Sequence, residues 1–286
     1  MNILVTGSEG YIGKQLVQSL LKLNHSVIDC NRRVCDVRNM CKLADEVPYQ
    51  QVNIVYHLAA LTGVSASWES PSDYYSVNTT GTQQALEYCR RVRARMVYVS
   101  ACMYGPDAVT PVAEDKLPEP ANPYTHSKYL GEEFCKFYAD KHDVQCTIIR
   151  PFNVYGRNQS ISFLVPYIIE QVTSDSLEIW VNDLAPVRDY IYISDLIDAL
   201  VSVLNRTITY EVLNVGSGVG YSVSEVIDKI QEIWCTNKTI RNRDIRRKNE
   251  IMNSVADLTK INNVTGWKPN FTLEEGLRQI HRIIGS

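Results

Sequence analysis

The sequence predicts an α/β protein of the doubly wound, Rossmann kind: a parallel sheet covered by helices on both faces, with a smaller C-terminal substrate-binding region. Three observations predict it. Short, continuous apolar runs alternate with amphipathic stretches through the first half. Strands read this way when crossover helices bury both of their faces. The first run leads straight into a glycine-rich turn, "TGSEGYIG" (6–13), and then into a helix pattern. Finally, the chain of 286 residues is 45% hydrophobic and 21% charged, which is enough for a substantial core.

In order, "NILVTG" (2–7) reads as a buried strand and "YIGKQLVQSLLKLN" (11–24) as an amphipathic helix. Strands follow at 26–30 and 52–60, then a polar stretch and a helix over 74–93. "RMVYVSA" (95–101) is a strand, and Asn122-Pro123 starts a helix over 124–142. "VQCTIIRP" (144–151) closes the regular alternation. Beyond it come a helix at 162–172, a strand at 177–181, a strand turning into a helix at 190–205 and a strand at 210–218. Two helices finish the chain, over 222–234 behind a Ser222 cap and over 273–285. The expected organisation is a larger domain over 1–155 with 188–214, whose glycine-rich turn suits a dinucleotide, and a smaller substrate-side region from 156–187 and 215–286.

The net charge of −3 offers no basic field for nucleic acid, and "RNRDIRRK" (241–248) reads as a solvated loop. No apolar run approaches the roughly 20 residues of a membrane span, and the start, "MNILVTG", lacks the pattern of a signal peptide. Eight cysteines are scattered with no CxxC pair, and the five histidines do not cluster near them. Neither disulfides nor a metal is expected, and a reducing cytoplasm is the expected setting.

Gly7, Gly10 and Gly13 follow the first strand and open the first helix. Such glycines let the backbone turn tightly against a pyrophosphate, which the helix N-terminus then attracts. Asp29 ends the second strand, where a carboxylate accepts both ribose hydroxyls of NAD. Arg32 and Arg33 follow it, and an arginine there binds the 2′-phosphate of NADP, so both NAD and NADP remain candidates.

Tyr124 and Lys128 stand four apart on one helix and share a face. A lysine cation lowers the pKa of a neighbouring phenol and can hold a nicotinamide ribose, so Tyr124 can pass a proton to or from a substrate oxygen while hydride moves. Ser100 lies at the end of a strand, where α/β proteins bind ligands, and its hydroxyl can bond the same oxygen. No GxSxG surrounds Ser100, which argues against a serine hydrolase. A non-catalytic dinucleotide sensor would have no need of this set.

These motifs resemble the extended short-chain dehydrogenase/reductases that act on nucleotide sugars: 4-epimerases, 4,6-dehydratases and 4-keto-6-deoxy-sugar reductases. The resemblance spans the chain through "TGSEGYIG", Asp29, "CDVRN" (35–39), "HLAA" (57–60), Asn78, "VSACMYG" (99–105), "YTHSK" (124–128), "RPFNVYG" (150–156), "VRDYIYISDL" (187–196) and "LNVGSG" (213–218). It implies that Asp36 and Val37 flank the adenine. It also implies that Tyr11, Ile12, Leu58, Ala59, Ala60 and Asn78 line the cofactor, and that Asn153, Arg188 and Arg247 hold the substrate's diphosphate. Planar arginine donors suit that dianion. A homodimer and a place in deoxysugar or polysaccharide (O-antigen) biosynthesis are implied too.

Dehydratases of the group carry an Asp-Glu pair just after the catalytic hydroxyl residue, whereas this chain has Ala101 and Cys102. Water elimination is therefore not expected. Cys102 matches a substrate-site cysteine of GDP-fucose synthases, but "GRNQSISF" (156–163) lacks their histidine, so it also reads as a small packing residue. A reductase and a 4-epimerase share the Ser100, Tyr124 and Lys128 set. The short insert between Gly156 and Arg188 and the stretches 180–200 and 215–230 look more like 4-keto-6-deoxyhexose reductases.

Overall fold

A computed structural model describes residues 1–31, 33, 35–43, 52–106, 108–206, 208–245 and 250–284. The chain forms two compact units. The first holds Met1–Met103, Leu117–Pro151 and Ile197–Leu213; the second holds Tyr104–Lys116, Phe152–Leu196 and the chain from Asn214 onward.

Along the chain the elements begin with β1 (Asn2–Thr6), α1 (Tyr11–Lys22), β2 (Ser26–Cys30), β3 (Ile54–His57), α2 (Gly81–Val92), β4 (Arg95–Val99), α3 (Pro123–His142) and β5 (Cys146–Pro151). They continue with β6 (Asn153–Tyr155), α4 (Leu164–Thr173), β7 (Glu178–Val181), β8 (Val187–Tyr192), α5 (Ile193–Ser202) and β9 (Tyr210–Val215). The chain closes with β10 (Gly220–Ser222), α6 (Val223–Ile233), β11 (Thr239–Asn242), β12 (Asn253–Ser254), α7 (Thr259–Thr265) and α8 (Leu273–Ile284).

The six-stranded sheet runs β2-β1-β3-β4-β5-β9, and its first five strands are parallel. The inner strands are buried on both faces, as their continuous apolar runs predict; Ile3, Val5, Ile54 and Val55 are wholly shielded from water. The order reverses around β1, so the carboxyl ends of β1 and β3 flank the switch point at which ligands bind in such sheets.

Helix α3 starts where Asn122-Pro123 predicts. The Asn122 carboxamide oxygen accepts from the Thr125 N–H (2.9 Å), and the Thr125 hydroxyl oxygen accepts from the Asn122 N–H (3.3 Å). Ser222 caps α6 through the same reciprocal pattern with Glu225.

The stretch 74–93 departs from the expected single helix. A helical turn at Pro71–Tyr74 is followed by a π-helical turn over Tyr75–Thr80 before α2 begins. Apolar spacing does not encode this widening; the buried Asn78 sits inside it.

In the second unit β8 pairs with β6, β10 and β12, while β7 pairs with β11. Two aspartates of "VRDYIYISDL" hold this unit together. Asp189 accepts from the Ser217 N–H and O–H (2.6 and 2.7 Å), the Gly218 N–H (2.9 Å) and the Ala256 N–H (3.2 Å). Asp195 accepts from the N–H groups of Asn270 and Phe271, both at 3.0 Å. All eight cysteines carry free thiols. Among the described residues no helix is long and apolar enough to cross a membrane, and no three metal-ligating side chains converge.

Candidate active site

The glycine turn is dictated first by the chain itself. Gly7 has φ +67°, and a Cβ there would lie 2.8 Å from the Ala59 nitrogen. A Cβ on Gly13 would collide with the Gly7 carbonyl. Both positions require glycine before any ligand is considered. Gly10 is different: it precedes α1 in extended conformation, and no side chain caps that helix. The missing side chain keeps the α1 N-terminus open, in the cradle form that suits a pyrophosphate.

Tyr11 and Ile12 begin α1 and are half-buried. Asp29 sits exposed at the end of β2, in register with Val5, and the next residue's carbonyl accepts from the Gly7 N–H (3.1 Å). The Asp29 carboxylate and the glycine turn thus meet at one sheet end. Asp36 is already engaged: it caps a 3₁₀ turn over Val37–Lys42 and pairs with the Arg38 guanidinium. Val37 is buried beneath Gly81, whose absent Cβ leaves room for it. Arg32 lies outside the described residues.

Behind the turn runs a chain of hydrogen bonds that motif reading did not anticipate. The Thr6 hydroxyl oxygen accepts from the N–H groups of Leu58 (3.1 Å) and Ala59 (3.2 Å), next to the half-buried Ala60. It lies 2.9 Å from His57 Nδ1. His57 Nε2 lies 3.2 Å from the Thr82 hydroxyl, which donates to the Asn78 carbonyl at 2.6 Å. Thr82 has one proton, so it accepts from Nε2–H, and Nδ1 accepts from Thr6. That arrangement needs a neutral ring. Burial, and secondarily Lys128, pushes its pKa down to about 3.

The Asn78 side chain bonds both backbone groups of Leu61 and donates to the Ser127 hydroxyl (2.9 Å), which donates to the Tyr124 carbonyl (2.7 Å). Asn78 thereby ties the loop after β3 to the start of α3.

Ser100 follows β4 directly. Its N–H donates to the Ile149 carbonyl (2.8 Å), while its buried hydroxyl has no partner among the described residues. A buried hydroxyl left unbonded is costly and suits a ligand oxygen. Tyr124 and Lys128 stand on successive turns of α3. Lys128 is 2% exposed, and its Nζ lies 4.2 Å from the centre of the Tyr98 ring on β4, two residues before Ser100. Burial pushes the Lys128 amine down to about 7. Tyr124 packs edge-on against Tyr74, with ring centres 6.3 Å apart. Burial first and Tyr74 second push its phenol up to about 12, so the lowering expected from Lys128 does not prevail here. Lys128 points onto the Tyr98 ring and is itself partly discharged at neutral pH. The two residues after Ser100 bring no carboxyl to it: Ala101 is buried, and Cys102 is half-buried, its N–H on the Pro151 carbonyl (3.2 Å).

In the second unit Asn153 donates to the Asp189 carbonyl (3.2 Å). Arg188 is not free: its guanidinium pairs with Glu250 and donates to the Val187 carbonyl (2.9 Å). Arg247 lies outside the described residues.

Residues 3–216 match the NAD dependent epimerase/dehydratase family. The chain belongs to that family. Relatives within the epimerase/dehydratase group include the GDP-6-deoxy-D-talose 4-dehydrogenase of Aggregatibacter actinomycetemcomitans, 30% identical over 95% of this chain and 94% of that one. The crystal structure of UDP-glucose 4-epimerase with UDP-glucose from Thermotoga maritima superposes with a TM-score of 0.90 at 26% identity, covering 100% of both chains. The structure of RMD from Pseudomonas aeruginosa complexed with NADPH gives 0.88 at 26% identity, covering 98% of this chain and 97% of that one. Solved structures of this fold carry either cofactor: the Pseudomonas aeruginosa protein holds NADPH, and the UDP-glucose 4-epimerase of Thermus thermophilus holds NAD.

Proposed function

We propose that the protein reduces the C4 keto group of a dTDP- or GDP-linked 4-keto-6-deoxyhexose. The reading rests on the buried Ser100 hydroxyl, which follows β4 and has no partner among the described residues, on Tyr124 and Lys128 one turn apart on α3, and on the lack of a carboxyl at positions 101 and 102. The relative that acts on GDP-6-deoxy-D-talose at position 4 supports the same carbon and sugar class.

The residues present fit a dinucleotide. The open α1 N-terminus and the Gly7–Gly13 turn would hold its pyrophosphate, and Asp29 its adenosine ribose. Ala59 and its neighbours would line it, and Lys128 would hold the nicotinamide ribose. When bound, reduced NAD or NADP supplies the hydride for C4. Ser100 Oγ donates a hydrogen bond to the C4 oxygen and fixes the carbonyl. Tyr124 Oη holds its proton at neutral pH and delivers it to that oxygen as the alkoxide forms. The Lys128 ammonium then stabilises the phenolate left behind. In the second unit, Arg188 and Asn153 bind the diphosphate, with Glu250 giving up Arg188 as the anion arrives.

A second reading is nucleotide-sugar 4-epimerisation with tightly held NAD, favoured by the full-length match to the UDP-glucose 4-epimerase structure. Purified protein mixed with NADPH or NADH and dTDP- or GDP-linked 4-keto-6-deoxy sugars decides between them. Stoichiometric loss of reduced-nicotinamide absorbance with one sugar is the expected result and names nucleotide and cofactor together. No loss with any of them, and NAD carried through purification, would move the assignment to epimerase.

A further inference from the structure

Lys128 is a cation almost without water, and no carboxylate forms an ion pair with it among the described residues. The titratable groups facing it are Glu132 and Cys135 on its own helix, His57 on β3 and Tyr98 on β4. Glu132 is spent on Arg150 of β5, through bonds of 3.0 and 2.6 Å. His57 is neutral, and its ring stacks on Tyr98 with centres 5.8 Å apart and planes 19° from parallel. The face of Tyr98 is therefore what meets the ammonium. The same residue holds the helix: the Tyr98 hydroxyl donates to the Lys128 carbonyl at 3.2 Å. Gly131, three residues along α3, makes the fit possible. A Cβ there would overlap the Tyr98 hydroxyl and lie 2.8 Å from its ring carbon Cζ.

We propose that Tyr98 is a positioning residue for Lys128: its ring carries the ammonium and its hydroxyl pins the helix at the same residue, so the cation keeps its charge and aim in a dry site. The inference rests on Lys128 acting as the cation that serves Tyr124. An aromatic face attracts a desolvated cation through its quadrupole, and it does so without the proton-accepting lone pairs of a carboxylate. With the amine near its own midpoint at neutral pH, a modest attraction decides how much of the protein is charged.

The test varies the charge distribution of the ring across a series that lacks the hydroxyl throughout, with phenylalanine as its reference. Phenylalanine, 3,5-difluorophenylalanine and pentafluorophenylalanine are placed site-specifically at position 98 in full-length protein labelled with ¹³C-lysine. The Lys128 Cε resonance, assigned by its disappearance in Lys128→Met, is followed against pH. Phenylalanine keeps the midpoint near that of the native protein. The pentafluoro ring lowers it by about one pH unit, a tenfold shift in protonation, with the difluoro ring between. One midpoint across the whole series overturns the proposal. The titration needs no sugar substrate. A graded shift in a protein that reduces no keto sugar would keep the role of Tyr98 and remove only the reductase assignment. In an active protein the same series lowers kcat at pH 8 while substrate KM holds.

Discussion

Asp189 in the second unit and Lys128 in the first are both buried and both ionisable, and their surroundings are opposite. Asp189 accepts four hydrogen bonds, three from backbone N–H groups, so burial raises its pKa while those bonds pull it back. Lys128 receives an aromatic face and, among the described residues, no counter-ion; two residues from that face Ser100 keeps an unspent hydroxyl. A saturated buried charge fixes a scaffold; an under-satisfied one is held ready for chemistry. The motif "VRDYIYISDL" belongs to the first kind and "YTHSK" to the second, although both read as functional signatures in the sequence.

The contrast breaks most visibly at Asp189. Asp189→Ala strands one buried and two partly buried N–H groups and should cost about 3 kcal/mol in urea unfolding; a loss under about 1 kcal/mol would show that the loop at Ser217 finds other acceptors. Tyr124→Phe should do the reverse, leaving the melting temperature within a few degrees and lowering kcat about 10³-fold. Full turnover in that variant would end the proposed proton transfer.

Lys128→Met probes the under-satisfied charge through pH. The folded pKa of Lys128 is depressed from 10.5 to about 7, so the unfolded chain binds the extra proton between those values. Stability from this group is complete above pH 10.5 and is lost as pH falls towards 7. Relative to the native protein, Lys128→Met should therefore gain about 2 kcal/mol on going from pH 8.5 to pH 6. A difference that does not vary with pH would mean the amine stays charged throughout. The smallest effect is expected at the half-buried Arg188–Glu250 pair. Glu250→Gln removes a competitor for the diphosphate and should lower substrate KM about threefold; a raised KM would make Glu250 a supporting residue.

The sequence exposed the sheet well because strands buried on both faces leave uninterrupted apolar runs, and α3 well because Asn122-Pro123 is a local signal. It exposed Gly7 and Gly13 correctly as required positions, though their requirement is met within the chain. The hydrogen-bonded line Thr6–His57–Thr82–Asn78 was not legible. Its members come from separate elements and follow no spacing rule, and only "HLAA" hinted at it. The π-helical turn and β10, β12 and α7 were missed because short or irregular pieces carry no periodicity. Arg188 read as a free anion clamp because a sequence shows a charge and not its partner, here 62 residues away.

Gly131 has a consequence for how this protein can change. The methyl it lacks and the Tyr98 hydroxyl would occupy one volume, so neither position is inherited alone. Gly131→Ala is disfavoured while tyrosine stands at position 98, and less so once Tyr98→Phe has removed the hydroxyl. The order of substitutions then matters. Tyr98→Phe followed by Gly131→Ala is the easier order, although the ring carbon Cζ, 2.8 Å from that Cβ, must still shift; the reverse order meets the hydroxyl as well. A stretch of helix that looks tolerant by composition is thus held by a residue on β4, a separate strand far earlier in the chain.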